Sequence, residues 1–302
     1  MAASWQEYID KRKQELQAVI LAHYYQPGEI QELADFVGDS FQLARQAART
    51  EARVIVFCGV SFMAESAKIL NPEKMVILPE IQAGCPMADM VGAAALEELK
   101  SQHPGAAVVC YVNSSAQVKA ASDICCTSAN AVQVVTSIPK EQEIIFVPDR
   151  NLGAYVCEQT GRRMILWEGF CPVHDRITAA DIEEQRRLHP GAPVVVHPEC
   201  RPEVIRLADA VRSTAGILDY VRQSSLSEFI IGTEEGFLYS LQKNCPDKRF
   251  YVPQGHLQCQ EMKMTSLEKL AWAMRELKHQ VEVEENIRIK AQVTLERMLS
   301  IT

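Results

Sequence analysis

Positive charge is the first thing this chain is short of: 31 lysines and arginines stand against 39 acidic residues, giving a formal net charge of −8. No segment collects a basic excess, so a nucleic-acid surface, which draws on clustered Lys and Arg, is not expected. Long apolar runs are missing too. None approaches the roughly 18 residues of a membrane span, so no membrane partner is expected and a cytoplasmic location is. Close Cys-x-x-Cys pairs are absent although the chain has ten cysteines, and tetrahedral zinc sites most often show such pairs. Ten thiols in 302 residues are also too sparse for a disulfide-stapled miniature. Metal or catalytic use of a few of them is the better expectation in a cytosolic setting.

What is present is a hydrophobic content of 47%, ample for a buried core. Strand-like runs fall at 18–25, 54–57 and 75–78, then at 107–112, 144–147 and 164–167, then at 194–197, 228–231 and 249–252. Helical stretches separate them. This alternation predicts an α/β fold with parallel sheets.

The chain also repeats itself, and a repeat outranks any domain count taken from length. His103-Pro104-Gly105-Ala106 recurs as His189-Pro190-Gly191-Ala192, each time between a helix and a strand. The following strand ends in two polar positions: His23 and Tyr25, then Tyr111 and Asn113, then His197 and Glu199. Asp35, Asp123 and Asp209 come next, then the hydroxyls Ser40, Ser128 and Thr214. The strand-end, aspartate and hydroxyl sets all advance by 88 and then 86 residues. Cysteines follow the last strand of each third, Cys85, Cys171 and Cys259, at steps of 86 and 88.

Three similar αβα units with short parallel sheets, arranged around a pseudo-threefold axis, are therefore expected: 1–89, 90–175 and 176–260. Residues 261–302 should form one or two helices packed on the body, opened by a capping box at Thr265 and Glu268. The helical N-terminal segment, 3–16, should match the helices 93–100 and 178–188.

Parallel sheets bind ligands at the C-terminal ends of their strands, where the six paired polar residues fall. Ser40, Ser128 and Thr214 precede helical stretches and read as N-caps. Three converging helix starts would offer backbone N–H groups and partial positive charge to an anionic substrate without any basic cluster. The same axis would gather Cys85, Cys171 and Cys259. Three cysteines on a [4Fe-4S] cluster would leave one iron open as a Lewis acid. Cys58, Cys110 and Cys157 read as small hydrophobes in apolar segments. Cys125, Cys126, Cys200 and Cys245 stay open.

Taken in order, the motifs resemble one family. They are Ala22-His23-Tyr24-Tyr25-Gln26, Ala34-Asp35-Phe36-Val37-Gly38-Asp39-Ser40, Phe62-Met63-Ala64-Glu65, Ala83-Gly84-Cys85-Pro86-Met87-Ala88, Tyr111-Val112-Asn113, Pro148-Asp149-x-x-Leu152-Gly153, Gly169-Phe170-Cys171-x-x-His174, His197-Pro198-Glu199-Cys200 and Gly232-Thr233-Glu234-x-Gly236. The chain is identified as similar to quinolinate synthase, the A protein of NAD biosynthesis, over essentially its whole length. That resemblance implies three α/β domains in pseudo-threefold array and a [4Fe-4S] cluster on Cys85, Cys171 and Cys259. It implies condensation of iminoaspartate with dihydroxyacetone phosphate to quinolinate, with loss of phosphate and two waters. A transient contact with the enzyme supplying iminoaspartate would suit that activity.

On this reading Glu199 is the main general acid or base, with Tyr25, His23 and His197 as its catalytic companions. Tyr25 and His23 assist tautomerisation and hold the phosphate-bearing substrate. Ser40, Ser128 and Thr214 meet its anionic groups, while Tyr111, Asn113, His174 and His197 bind and orient. Some members of the family carry a Cys-x-x-Cys-x-x-Cys run before the third ligand. Here that stretch is Pro253-Gln254-Gly255-His256-Leu257-Gln258-Cys259, which argues against redox control by a disulfide there. The loops 82–86 and 254–258 are the candidates to open as lids. Two other readings remain at this stage: an iron–sulfur sensor without activity, and a metal-free aldolase or hydrolase.

Overall fold

The structure is a computed structural model that describes residues 2–253 and 257–301. Its first part runs α1 (Ala2–Leu16), β1 (Ala18–His23), α2 (Gly28–Leu33), β2 (Phe36–Gly38), α3 (Ser40–Arg49), β3 (Val54–Cys58), α4 (Ser61–Leu70) and β4 (Met75–Ile77). The same order of eight elements then recurs. It is α5 (Ala93–Gln102), β5 (Ala107–Tyr111), α6 (Ala116–Ala120), β6 (Ile124–Cys126), α7 (Ala131–Ser137), β7 (Ile144–Val147), α8 (Arg150–Thr160) and β8 (Ile165–Leu166). A third round follows: α9 (Ala179–Leu188), β9 (Val194–Val196), α10 (Pro202–Leu207), β10 (Ala210–Val211), α11 (Thr214–Gln223), β11 (Glu228–Gly232), α12 (Phe237–Asn244) and β12 (Arg249–Tyr251). Two helices close the chain, α13 (Leu267–Glu276) and α14 (Glu285–Ser300).

Three four-stranded, all-parallel sheets result, ordered β2-β1-β3-β4, β6-β5-β7-β8 and β10-β9-β11-β12. Helices cover both faces of such sheets, so the central strands read as unbroken apolar runs: β3, β5 and β7 are buried along their whole length. Each sheet holds one strand more than the runs predicted. The additional strands β2, β6 and β10 are only two or three residues long, too short to show a period.

The repeated aspartates explain themselves here. Asp35, Asp123 and Asp209 each accept a hydrogen bond at 2.8 Å from a backbone N–H of the neighbouring first strand, those of Ile20, Val108 and Val194. Each aspartate thus pins the short second strand to the first. The repeated Gly105 and Gly191 sit at φ of 88° and 94°, a left-handed turn that glycine enters without penalty.

The closing helices pack on the body. Leu270, Ala271 and Met274 of α13 join the core beneath β1 and β3, and Ala291, Leu295 and Met298 of α14 join the core between the first and second sheets. The N-cap of α13 is Ser266, which accepts from the Lys269 N–H, one residue beyond the expected Thr265. Among the described residues no helix is long and apolar enough to cross a membrane.

Candidate active site

The first and second strands of all three sheets open on one cavity, whose empty space is about 660 Å³. All thirteen residues expected from the sequence line it: the six strand-end groups, the three hydroxyls, His174, and Cys85, Cys171 and Cys259. No other cysteine does. Cys58, Cys110, Cys125, Cys126 and Cys200 are fully buried instead, and Cys245 nearly so. Cys85 lies in the loop after β4, Cys171 after β8 and Cys259 after β12. Of the loops proposed as lids, 82–86 brings Gly84 and Cys85 to the cavity, while 254–256 lie outside the described residues.

Capping differs from expectation. Asp39, not Ser40, caps α3, accepting from Gln42 N–H in a capping box. Its second oxygen accepts from Ala215 N–H, so one carboxylate ties the starts of α3 and α11 together across two sheets. Ser213, not Thr214, caps α11. At α7 the N-cap position is Asn130, not Ser128, and no side chain caps it; ahead of the helix Asn130 accepts from Thr127 N–H and Thr127 Oγ1 from Ala129 N–H. At α3 and α11 the chain's own side chains therefore take helix-start N–H groups set aside for substrate. What Ser40, Ser128 and Thr214 offer the cavity is their hydroxyls.

At the centre lies Glu199, with a nearly buried side chain. Its Oε2 is 2.7 Å from His174 Nδ1 and 3.5 Å from His197 Nδ1, and the two rings stack at 4.7 Å. The Tyr111 hydroxyl bonds the same carboxylate. Burial works against the charge on Glu199, but His174, then His197, and the hydrogen bonds from His174 and Tyr111 hold its carboxyl down at about 2. It is a carboxylate at neutral pH.

His23 and His197 form a pair by repeat and by environment. The Nδ1 of each accepts the backbone N–H two residues on, from Tyr25 at 3.1 Å and from Glu199 at 3.3 Å. Burial is the main cause that pushes both down to about 3. Each is thus a neutral imidazole with its proton on Nε2, a donor. His197 presents that nitrogen to Ser128 Oγ at 3.1 Å.

Tyr25 has been carried past the end of β1. Its hydroxyl lies 3.1 Å from Thr214 Oγ1 and 2.8 Å from Thr233 Oγ1, and burial, then the Glu199 charge, push it well above its ordinary range. Asn113 Oδ1 is buried and has no hydrogen-bond partner, an acceptor waiting for a donor from outside the chain. Behind Tyr25, Lys263 bonds its carbonyl oxygen and pairs with Glu234 at 2.6 Å; Glu234 also accepts from the Cys259 N–H at 3.0 Å. No Lys or Arg lines the cavity among the described residues.

Sequence reasoning missed Asp39, Thr127, Thr233 and Glu234. Asp39, Thr233 and Glu234 lie inside motifs quoted above but were given no role there. Asp39, Thr127 and Ser213 do stand at steps of 88 and 86 but differ in residue type; for Thr233 and Glu234 the third strands show why. The register equates Phe57, Phe146 and Ile231, at steps of 89 and 85 instead of 88 and 86, and the residues that follow them are unlike one another. A search at a fixed step passes over them.

Residues 7–300 match the family described as Quinolinate synthetase A protein. The chain is 55% identical over 293 residues to the quinolinate synthase of Desulforudis audaxviator, covering 97% of both chains. It is 54% identical over 293 residues to that of Dehalococcoides mccartyi, again covering 97% of both. It is 53% identical over 296 residues to quinolinate synthase 2 of Methanosarcina acetivorans, covering 98% of this chain and 95% of the relative. These matches decide for an enzyme over a sensor. With the family matched from end to end and its motif residues gathered in one cavity, the chain belongs to the quinolinate synthase family.

Proposed function

We propose that the enzyme condenses iminoaspartate with dihydroxyacetone phosphate to quinolinate, releasing phosphate and two waters, on a [4Fe-4S] cluster held by Cys85, Cys171 and Cys259. The observation that carries this reading is the convergence of three equivalent cysteines and three equivalent strand-end pairs on one cavity. The donor set fits the cluster. Burial pushes Cys85 and Cys259 up to about 12 and Cys171 well above its ordinary value, so the three stay thiols unless a bound cation takes their protons. No Lys or Arg lines the cavity among the described residues, so an anionic substrate would meet hydroxyls, neutral imidazoles and, with a cluster bound, the Lewis acidity of its open iron. When bound, the cluster supplies a Lewis-acidic iron whose fourth position is free of cysteine.

The chain's own residues then divide the work by charge state. Glu199, ionised and buried, is the base that removes a proton from a carbon next to a carbonyl or imine. Tyr25, held protonated, is the matching acid. The neutral imidazole of His23 donates from Nε2 to a substrate oxygen without adding charge, and His197, whose Nε2 proton goes to Ser128 Oγ, turns that hydroxyl toward the substrate. Ser40, Ser128 and Thr214 donate hydroxyl bonds to carboxylate or phosphate oxygens, and Asn113 Oδ1 accepts from the substrate nitrogen or hydroxyl. Tyr111 and His174 orient the base.

Anaerobic purification followed by assay with the two substrates tests the proposal. A brown protein that forms quinolinate is expected. A colourless protein with full turnover would overturn the cluster, and a brown one that forms no quinolinate would overturn the reaction.

A further inference from the structure

Lys119 lies on α6 with no exposed surface, and among the described residues no carboxylate comes within ion-pair distance of it. A buried lysine without a carboxylate is a costly arrangement. Its ammonium donates to Ser114 O at 2.5 Å and to Phe62 O at 3.4 Å, and stands 5.4 Å from the centre of the Phe62 ring. Phe62 lines the cavity, and so does Asn113, the neighbour of Ser114. The charge therefore sits one layer behind the wall.

The repeat shows that the fold does not need this charge. At the steps of 88 and 86 stand Gln31 on α2 and Ile205 on α10, each the fourth residue of its helix, as Lys119 is. Gln31 Nε2 donates to Gln26 O at 2.8 Å and to Gly236 O at 3.3 Å. Gln26 is the equivalent of Ser114. Gly236 and Phe62 both lie where the chain enters the helix after a third strand, β11 or β3, of the neighbouring unit. A neutral amide thus makes the same two bonds in the first unit, and a buried isoleucine fills the place in the third. Only the second unit adds a charge.

We propose that Lys119 is a substrate-attracting cation that acts through the cavity wall, drawing in the anions that the wall itself receives with hydroxyls and neutral imidazoles. Between buried groups such attraction falls off slowly with distance and is little screened by salt. Lys263, the other cation close behind the wall, is paired with Glu234 at 2.6 Å. Glu65 on α4 turns its Oε2 to the Ala116 N–H, at 2.9 Å, and not to Lys119. One further titratable group feels this lysine. Burial works against the thiolate of Cys110, but hydrogen bonds from Cys125 and Ser114, then the Lys119 charge, bring it down to about 7. A thiol at that value is half protonated at neutral pH, which leaves about half of the lysine's charge uncancelled.

The inference rests on the reading of the substrates as iminoaspartate and dihydroxyacetone phosphate, both anions, and the test separates the two. Lys119→Gln copies the first unit and keeps N–H donors without charge, Lys119→Met removes both, and Lys119→Arg keeps the charge. In anaerobically purified enzyme the Gln and Met variants should raise KM for dihydroxyacetone phosphate about tenfold. Binding of labelled quinolinate, read by equilibrium dialysis, should weaken by a similar factor. Turnover at saturation should stay within about threefold of the parent, as should KM in Lys119→Arg. Should methionine or arginine disturb folding, seen in far-ultraviolet dichroism, Lys119→Gln against the parent still decides. A Gln variant with parental KM and quinolinate binding overturns the inference, because bonds to the two carbonyls would then account for the residue. A loss of kcat as large as the rise in KM also overturns it, since a distorted wall would explain both. A parent enzyme that forms no quinolinate overturns the underlying reading, while the dialysis still decides whether the lysine draws an anion to the cavity.

Discussion

Removing the repeated aspartates tests whether the three sheets are built by the same local device. Each carboxylate takes one backbone N–H of a first strand, those of Ile20, Val108 and Val194, at 2.8 Å. Those three residues are fully or almost fully buried, so an unanswered N–H there costs about 1–3 kcal/mol. The aspartates themselves are exposed, and water can partly replace them, which places the expected loss at the lower end, about 1 kcal/mol each. Unfolding entropy of about 2.1 cal/mol/K per residue over 302 residues comes to ~0.63 kcal/mol/K, so each Asp→Ala variant should lower Tm by about 1.6 °C. The sites lie in different sheets and share no partner. The triple variant should therefore lose about 3 kcal/mol, or roughly 5 °C. Asp→Asn keeps an acceptor oxygen and should recover most of the loss. Lys13 with Asp35 and Arg186 with Asp209 are half-exposed ion pairs worth about 0.2–1 kcal/mol, so Asp123→Ala reports the N–H bond with the least addition. Scanning calorimetry of the anaerobically purified protein reads the shifts. Asn variants as unstable as Ala variants, or a triple variant with parental Tm, would refute the reasoning.

Three further outcomes follow from the site. Cys171→Ser should lose both colour and turnover while far-ultraviolet dichroism stays that of the folded chain, whereas Cys58→Ala, altering a buried thiol that does not line the cavity, should keep both; retained colour in Cys171→Ser would contradict the ligand assignment. Glu199→Gln should lower turnover by about 100-fold or more with the cluster spectrum intact, and near-normal turnover would rule Glu199 out as the base. His23 and His197, held at about 3 when folded, bind protons near 6.5 once unfolded, so folding loses stability as pH falls below that value. For two such groups the loss between pH 7 and pH 5 is roughly 4 kcal/mol, read as a drop in the urea midpoint; a flat midpoint over that window would show that the folded histidines do take up protons.

Much of the fold was legible because the repeat is written in residue types that perform the same local task three times. The Pro-Gly turn before β5 and β9, the aspartate pin and the strand-end pair each need particular atoms at a particular backbone position, so they recur at nearly fixed steps. Elements that perform no such task left no mark. The strands β2, β6 and β10 are too short for any pattern, and their pairing comes from the aspartates and from neighbouring strands. The helix starts illustrate a different limit. Asp39, Ser40, Ser213 and Thr214 are all good caps by type. Only the backbone path decides that Asp39 and Ser213 cap, leaving the hydroxyls of Ser40 and Thr214 to the cavity.

By itself the sequence determined which residues can meet. The three cysteines, the three hydroxyls and the six strand-end groups are equivalent positions of one repeated unit, and equivalent ends of parallel sheets face one way. It could not determine which of them bond to one another. The contacts that set charge and proton position cross between units: His174 to Glu199, Tyr25 to Thr233, Asp39 to the start of α11. Such contacts depend on tenths of an ångström between segments distant in the chain, and on burial that makes His23 and His197 neutral while Glu199 stays charged. Hydrogen bonding falls off steeply with distance and desolvation acts only once the cavity has closed, so the acid–base character of this site belongs to the tertiary structure.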